Sequence, residues 1–529
     1  MSNTTPDLIL AIDHGTSGIK NSVMTFGGRP LAFDFEPTPL QLFPNGGAEQ
    51  DPDDWWKALV ITTRRLLENT RACGAADRIA AVCVSSTFST TVAVGADGRH
   101  LGPALTWMDS RGAPYIREMV DGFPKVMGYG LNKMLPWIWK TGGGPQLSGK
   151  DDIAHVLFWQ RERPEVYRET AAFLGSKDYL NARLTGVVAG SAEAMTLFWI
   201  IDSRDVNHLK YDDGLIRLAG IDRAKLPRLI RSIDIVGPLL PAVARELGLP
   251  AGVPVVAGTA DHQAAGVGSG ATRDFAGHIY IGTSSWIQCI VPFKKTDPLH
   301  SIASLPSAIP GRYYCVNEQD IAGGALNFLV KILWPQNAAR PEPPPADAFS
   351  RLDQAAAGSP PGANGAIFTP WLNGERTPVD DPHLRAGFHN LSLSHTADDL
   401  ARAALEGVAL NSRWALKYVE KFIGRRMDAL NIIGGGGQSD FWCQIFADVL
   451  GREIRQVEDP MQANARGAAL IAAVALGKIS FNDVPDLVKI KAVYKPDPAR
   501  QKLYNGRFDD FITIYKRNRG LYQRLNPGG

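Results

Sequence analysis

A glycine-threonine-serine turn occurs twice, each time after an apolar run of strand length, and constrains the fold of this chain more than any other feature. The first turn, DHGTSG at residues 13–18, follows the apolar run at residues 8–12. The second, GTSS at residues 282–285, follows an apolar run that ends at Ile281. Backbone N–H groups and hydroxyls in such a turn can hold a phosphate group. Two of these turns predict two similar lobes that close on one nucleotide.

An ordinary tight turn is the alternative interpretation of the first of these sequences, because Gly-Thr-Ser-Gly is also typical of turns without a ligand. Residues 22–26 can pair with residues 8–12 as the second arm of a hairpin, which places Thr16 and Ser17 at its tip. Since the same sequence recurs at Gly282, we favour the phosphate interpretation.

A carboxylate, Asp261, follows the apolar run at residues 253–257 and precedes the second turn. Phosphoryl transfer to an alcohol requires a base that accepts the proton of the attacking hydroxyl, next to groups that hold the phosphate. A short strand that carries Asp261 into a turn beside the second hairpin meets that requirement. The sequence therefore predicts Asp261 as a general base.

Composition restricts the class of protein and of partner. A chain of 529 residues is expected to form two large domains, and 56 basic against 54 acidic residues leave no electrostatic attraction for nucleic acid or for an anionic membrane. The five cysteines, one of which is Cys73, are scattered and form no CxxC pair, so no disulfide framework or zinc site is indicated. The longest apolar stretch, around residues 468–476, is shorter than a membrane span, and the first residues lack the basic region of a signal peptide. We expect a cytoplasmic protein with a small-molecule partner.

Proline breaks suggest where the two domains meet. Residues 202–250 alternate short helical patterns with prolines, which is typical of a crossing between lobes. We predict an N-terminal domain at residues 1–250, a C-terminal domain at residues 251–485 and a helical tail at residues 486–529.

Four consecutive glycines, Gly434 to Gly437, separate a predicted strand from a helix that starts at Asp440. They allow a flat ring or a phosphate to lie against the backbone, although a flexible turn is the alternative. Further along, GAALIAAVALG at residues 467–477 predicts a helix of small residues suited to close packing, and residues 195–201 predict a strand.

Two further strand ends carry candidate substrate contacts, because side chains at the ends of successive strands in an α/β sheet converge on one crevice. One is STFS at residues 86–89, and the other is WMDSR at residues 107–111. A core aromatic is the alternative interpretation of Trp107, and a local ion pair is the alternative for Asp109 with Arg111.

The two Gly-Thr-Ser turns, Asp261 and the four-glycine turn, in this order, resemble the FGGY family of carbohydrate kinases. The resemblance runs from about residue 8 to residue 477, and its most specific parts are residues 177–186 and GFHNL at residues 387–391 followed by residues 399–406. The family's signature has glycine where Asn390 stands. The resemblance implies an α/β protein with two ribonuclease H-like domains of the actin and Hsp70 ATPase type, separated by an interdomain cleft.

The resemblance also implies ATP and Mg²⁺ as cofactors and a role for individual residues. Asp261 would be the general base, and Asp13 would help to hold Mg²⁺. The residues implied to face the nucleotide are Thr16, Ser17, Lys20, Gly282, Thr283, Gly323, Asn327, Gly435, Gly436 and Ser439. The residues implied to contact the acceptor are Phe88, Ser89, Trp107, Asp109 and His262. For Gly323, packing of a helix on a strand is an equally good interpretation.

The implied acceptor is a small sugar. Xylulokinases usually show Met-His where this chain has Phe88-Ser89, and glycerol kinases show Arg-Glu, so neither pair is present. Because the overall spacing is closer to the pentulose kinases, we expect a ketopentose such as xylulose. A polyol or sugar-acid kinase, acting on glycerol, erythritol or gluconate, is one alternative, and a nucleotide-dependent switch protein without kinase activity is another. For the oligomeric state of this protein, we consider a homodimer.

Overall fold

The computed structural model describes residues 6–71, 74–333, 345 and 347–527. Cys73 lies outside the described residues. The other four cysteines, Cys83, Cys289, Cys315 and Cys443, are free and buried. Every helix in the described ranges is too short or too polar to cross a membrane.

In the described residues, fourteen strands form two central sheets, and they are numbered β1–β14 in chain order. The first sheet contains Leu8–Gly15 (β1), Gly18–Thr25 (β2), Pro30–Pro37 (β3), Ile79–Ser86 (β4), Ile235–Pro238 (β5) and Pro254–Ala260 (β6). The second contains Gly277–Ile281 (β7), Ser285–Val291 (β8), Thr296–Asp297 (β9), Ile302–Pro306 (β10), Tyr313–Val316 (β11), Ala429–Ile433 (β12), Glu453–Val457 (β13) and Ile490–Tyr494 (β14).

The longer helices, of eight residues or more, are numbered α1–α11. They are Pro52–Asn69 (α1), Leu131–Thr141 (α2), Asp152–Glu162 (α3), Ser176–Thr185 (α4), Asp261–Gly268 (α5), Gly323–Leu333 (α6), Ala348–Gly358 (α7), Ala397–Ile423 (α8), Asp440–Leu450 (α9), Ala463–Ala475 (α10) and Pro498–Leu525 (α11). Shorter α-helices span Ala75–Arg78, Ala113–Met119, Pro164–Glu169, Asp213–Ala219, Pro241–Leu247 and Val484–Leu487. Small strands outside the central sheets span Gln41–Leu42, Ala48–Gln50, Thr91–Val94, Ala104–Leu105, Lys125–Val126, Tyr129–Gly130, Ala172–Gly175, Ala189–Ser191, Ile201–Asp202, Lys210–Tyr211, Arg228–Ile230, Ile367–Thr369 and Gly387–His389.

The two central sheets share one topology. In the first, the strand order is β5-β6-β4-β1-β2-β3, with β1, β2 and β3 antiparallel and with β4 and β6 parallel to β1. In the second, the order is β9-β10-β11-β8-β7-β12-β13-β14, with β7, β8 and β11 antiparallel and with β12 and β13 parallel to β7. Each sheet therefore has three adjacent antiparallel strands beside two parallel strands and an antiparallel strand at the edge next to them, and the second sheet adds β9 and β10 at its other edge. The predicted duplication and the α/β class are confirmed.

Strand β1 is a continuous apolar run because it is covered on both faces. Leu8, Leu10 and Ile12 belong to the core beneath α1, whereas Ile9 and Ala11 belong to the core beneath α10. A strand covered on only one face would alternate apolar and polar residues instead.

Helices α5 and α10 cross in close contact, and glycines make the crossing possible. A Cβ atom at Gly268 would lie 1.8 Å from the carbonyl oxygen of Ala463, and one at Gly467 would lie 1.8 Å from that of Ala264. Only glycine allows two helix backbones to approach this closely. The structure thus confirms the predicted helix of small residues and shows that it fixes α5, which begins at Asp261.

The predicted strand at residues 195–201 is wrong. Ala194–Phe198 is a 3₁₀ helix, and the only strand there is Ile201–Asp202. Thr196 and Ile200 are buried as well as Met195, Phe198 and Trp199, so this segment shows neither the alternation of a half-buried strand nor a one-sided helical face. A run of apolar residues could not distinguish the two.

The division of the chain near residue 250 stays a prediction. In the structure, β6 follows that point and lies inside the first sheet, between β4 and β5. Residues 486–527 include β14, the edge strand of the second sheet, and α11, whose Tyr504 and Phe511 are fully buried in the second core.

Candidate active site

The carboxyl ends of three neighbouring parallel strands of the first sheet, β1, β4 and β6, lie side by side at one edge of that sheet. Strand β4 lies between β1 and β6, with Ser85 opposite Asp13 and Ser86 opposite Ala260. Asp261 follows Ala260 directly as the first residue of α5. The parallel order of these strands thus brings Asp13 and Asp261, which are far apart in sequence, to the same edge.

Asp261 has an unusual protonation equilibrium for a carboxyl group. Burial raises its pKa to about 8, and the negative charges of Asp13 and Glu318 act in the same direction. The hydrogen bond that its Oδ1 accepts from the backbone N–H of His262, 2.8 Å, and the positive charge of Lys20 oppose this rise. A carboxylate with a pKa near the operating pH is suited to accept a proton from an alcohol.

Asp13 is the residue that could hold a metal ion. It is 4% exposed, and Lys20 Nζ lies 3.7 Å from its Oδ2. Ser85 Oγ and Asn464 Nδ2 each lie 3.5 Å from its Oδ1. The Asn464 Oδ1 atom is buried and has no hydrogen-bond partner within the described residues. Because Mg²⁺ usually keeps several waters, acceptor oxygens that these waters can reach fit a hydrated Mg²⁺.

The first Gly-Thr-Ser turn lies at the tip of the β1–β2 hairpin, as predicted. Thr16 is half-buried and Ser17 is exposed. The Thr16 hydroxyl accepts a hydrogen bond of 2.8 Å from Trp107 Nε1, and its carbonyl oxygen accepts one of 2.9 Å from Gln50 Nε2. Trp107, predicted at the acceptor site, therefore lies against the first turn.

The second turn lies at the tip of the β7–β8 hairpin and supports the start of α6. The carbonyl oxygens of Gly282 and Thr283 accept hydrogen bonds from the N–H groups of Gly323, 2.8 Å, and Gly324, 3.1 Å. A Cβ at Gly323 would lie 2.6 Å from the Gly282 oxygen, so packing alone explains this glycine. The N-terminus of α6, which favours negative charge, stands beside the turn. Asn327 is exposed one turn further along α6.

The four-glycine turn lies directly beside the second Gly-Thr-Ser turn. A Cβ at Gly436 would lie 2.4 Å from Ile281 Cγ2, and Ile281 is the residue before Gly282. Gly435 is exposed and Gly436 is half-buried. The Ser439 hydroxyl caps α9 by accepting a 2.9 Å hydrogen bond from Trp442 N. The second-domain residues predicted to face a nucleotide thus lie on two touching turns and the helices that start from them.

Phe88 and His262 are brought together although they lie on different elements. Their rings are 5.8 Å apart and meet edge to face, which places Phe88 beside the predicted base. Ser89 is 6% exposed and has a φ of 51°, a left-handed conformation that is strained for serine. Strained residues cluster at functional sites.

The Asp109 carboxylate is hydrogen-bonded to other residues of the first domain. It is fully buried, and its Oδ2 accepts hydrogen bonds from Ala48 N, 3.0 Å, and from the guanidinium of Arg111, 2.6 Å. These contacts match the alternative interpretation of Asp109 as part of a local ion pair with Arg111. A contact between Asp109 and an acceptor stays a prediction.

Sequence reasoning missed the four side chains on one face of the β7–β8 hairpin. His278, Tyr280, Trp286 and Gln288 alternate with aliphatic residues and cysteine of the second core. This period-two pattern of polar or aromatic and aliphatic residues was visible in the sequence. What it could not show is that α5 lies against that face.

Glu318 and Arg376 were also missed. Arg376 forms ion pairs with Glu318 and, at 2.7 Å, with Asp320. Glu318 lies close enough to Asp261 to contribute to the rise of its pKa. The polar sequence NGERTP at residues 373–378 was the available signal for Arg376.

Comparison with protein families identifies the chain. The model of the N-terminal domain of the FGGY family of carbohydrate kinases matches residues 8–268, and that of the C-terminal domain matches residues 277–476. The chain belongs to the FGGY family of carbohydrate kinases. It is therefore a sugar kinase, a phosphotransferase, and kinases of this family use ATP.

Named relatives of this FGGY kinase differ in substrate. It is 27% identical over 518 residues to a xylulose kinase from Staphylococcus epidermidis, with 97% of this chain and 98% of the relative covered. It is 25% identical over 536 residues to a gluconokinase from Bacillus subtilis, with 98% and 97% covered. The structure of a gluconate kinase from Lactobacillus acidophilus matches with a TM-score of 0.84 at 24% identity, over 98% of this chain and 99% of that chain. This last match shows the fold.

Proposed function

We propose that this FGGY kinase transfers the γ-phosphoryl group of ATP to a hydroxyl of a ketopentose such as xylulose. The supporting observation is Asp261, a carboxyl group with a pKa of about 8 at the edge of the first sheet where Asp13 also lies. A sugar acid such as gluconate is the second candidate, since a gluconokinase relative matches over nearly the full length of this chain.

We propose the following roles for the residues of the site. Asp261 accepts the proton of the acceptor hydroxyl, and Asp13 would help to hold Mg²⁺. When bound, ATP would supply the phosphoryl group and Mg²⁺ would neutralise part of its charge. Side chains and backbone groups of both domains face the nucleotide, namely Thr16, Ser17, Lys20, Gly282, Thr283, Gly323, Asn327, Gly435, Gly436 and Ser439. Phe88, Ser89, Trp107, Asp109 and His262 line the acceptor side. A cytoplasmic location and a homodimeric state remain predictions.

A substrate panel tests the proposed acceptor. We expect one ketopentose to stimulate ADP release with a kcat/KM at least about 10²-fold above that of any polyol or sugar acid, because a site that hydrogen-bonds several hydroxyls rejects analogues that leave its groups unpaired. ADP release is measured with Mg²⁺ and ATP over ketopentoses, polyols and sugar acids. A preference for gluconate would replace the first candidate with the second. Equal slow release with every acceptor and with none would contradict a sugar kinase of this specificity.

The pH dependence tests the proposed base. Because Asp261 must be ionised to accept a proton, we expect kcat/KM to rise with pH and to level off above the pKa of about 8. Bound Mg²⁺ would shift the midpoint downward through its positive charge. The measurement is the pH profile of kcat/KM for the preferred acceptor between pH 5.5 and pH 9.5, in steps of about half a unit, with ATP saturating. A profile that is flat from pH 6 to pH 9 would argue against Asp261 as the base.

A further inference from the structure

The β7–β8 hairpin sorts its side chains onto two faces. In the antiparallel register, His278 lies opposite Gln288 and Tyr280 lies opposite Trp286, so these four side chains share one face. The other face belongs to the second core and carries Ile279, Ile281, Ile287 and Cys289. Helix α5 places His262 against the first face.

Stacked rings fix the plane of the His262 imidazole. It stacks on Trp286 with ring centroids 3.9 Å apart and planes inclined by 17°, and Trp286 stacks in turn on Tyr280 at 3.9 Å and 8°. Phe88 meets the imidazole edge to face. Trp286 cannot rotate freely, because its Nε1 donates a 3.2 Å hydrogen bond to His278 Nε2.

Gln288 contacts one of the two ring nitrogens of His262. Gln288 is 1% exposed, and its amide Nε2 donates a 2.8 Å hydrogen bond to His262 Nδ1. A nitrogen that accepts a hydrogen bond carries no proton, so a neutral imidazole bears its proton on Nε2. His262 is partly exposed, and its Nε2 has no hydrogen-bond partner among the described residues. This N–H group is therefore available to donate a hydrogen bond to a ligand.

The surroundings of His262 keep it neutral. Burial lowers its pKa to about 3, and the positive charge of Arg376 acts in the same direction. His278, on the hairpin, also has its pKa lowered to about 3 by burial. On α5 itself, the neighbouring Asp261 is protonated below a pH of about 8. None of these groups supplies a fixed negative charge that would favour an imidazolium at neutral pH.

We propose that Gln288 is a positioning residue that holds His262 as an Nε2–H donor, and that this donor binds an oxygen of the acceptor next to the hydroxyl that Asp261 deprotonates. The inference rests on the proposed function. It assigns the recognised group as a hydroxyl or carbonyl oxygen of a polyhydroxylated acceptor. An analogue that lacks this oxygen would leave the N–H group unpaired and would be rejected.

Nitrogen NMR of the full chain, labelled with ¹⁵N-histidine, tests the tautomer directly. We expect the His262 ring, assigned by the signals that disappear in His262→Gln, to be neutral and protonated on Nε2 at pH 7.5, and its Nε2 signal to shift when the acceptor is added. A ring protonated on Nδ1 or on both nitrogens, or an Nε2 signal that saturating acceptor leaves in place, would overturn the proposal. The tautomer can be read even if no acceptor in the panel is phosphorylated, which would refute the proposed function separately.

The variant Gln288→Leu tests the positioning role by kinetics. It removes the donor without adding a charge, so we expect a mixture of His262 tautomers and a KM for the acceptor that rises about tenfold, with the KM for ATP within about twofold of the original value. Ile287→Val, at the next position on β8 but facing the second core, is the matched control and should change neither KM nor the tautomer. An acceptor KM for Gln288→Leu equal to that of this control would overturn the proposal.

Discussion

Asp261→Asn is expected to slow phosphoryl transfer to the acceptor by about 10²- to 10⁴-fold while ATP still binds. Asparagine keeps the size of the side chain and can still accept the hydrogen bond from the backbone N–H of His262. It cannot accept the proton of the attacking hydroxyl at neutral pH. The loss should therefore appear in kcat, measured as phosphorylated product, and not in the affinity for ATP measured by calorimetry.

Stability measurements distinguish this loss from unfolding. The pKa of Asp261 is raised from 3.8 to about 8 in the folded protein, so ionisation of this group disfavours the folded state. Protonated Asp261 therefore stabilises the folded state fully below about pH 4, and this stabilisation is lost progressively as the pH rises to about 8. Asparagine does not ionise, so the variant should melt at a higher temperature than the original protein at pH 8.5. Asp486→Asn, at an exposed surface pair with Arg273, is the control and should leave both kcat and melting unchanged. Near-original turnover by Asp261→Asn would refute its role as the base.

The hairpins and the duplication could be predicted from the sequence because each depends on local chemistry. Residues 8–12 form a strand whose apolar side chains are buried on both faces, and the following turn ends it at Gly15. The same pattern, repeated near Gly282, predicted a second lobe. Strand pairing then gave the central five strands of both sheets the same arrangement.

The alternatives that the sequence left open depend on contacts between distant segments. Asp109 pairs with Arg111 and also accepts a hydrogen bond from the backbone N–H of Ala48, whereas its contact with an acceptor stays a prediction. The Gly282 oxygen lies where a side chain on Gly323 would be, so packing requires a glycine there, whereas a contact of Gly323 with a nucleotide stays a prediction. No local pattern contains either piece of information.

The acceptor side was the hardest to predict for the same reason. Phe88 was identified because it follows a strand and His262 because the family resemblance implied it, but their contact depends on how β4 and α5 are placed. Gln288 gave no signal of its own, since a buried glutamine in a strand is unremarkable until His262 is seen to accept its hydrogen bond.

Gly467→Val is expected to destabilise the protein by about 3 kcal/mol or more and to abolish activity, although Gly467 is not expected to touch any ligand. A Cβ at this position would lie 1.8 Å from the Ala264 oxygen and 2.9 Å from its Cα, so α10 and α5 would have to separate along their crossing. Backbone atoms cannot move aside as a flexible side chain can. Since α5 begins with Asp261, any separation also displaces the proposed base, and displacements of about 1 Å can cost 10²-fold in rate.

Urea unfolding and turnover, measured on the same preparations, check this prediction. The smaller change Gly467→Ala should already lower the free energy of unfolding, because the first side-chain atom makes the clash. Gly506→Ala and Gly520→Ala, both in α11, are the controls: no atom lies within 4 Å of either added Cβ, so each should be neutral or stabilising by up to about 1 kcal/mol through helix propensity. If Gly467→Ala were as stable and as active as these controls, the close crossing of α5 and α10 could not be what holds Asp261 in place.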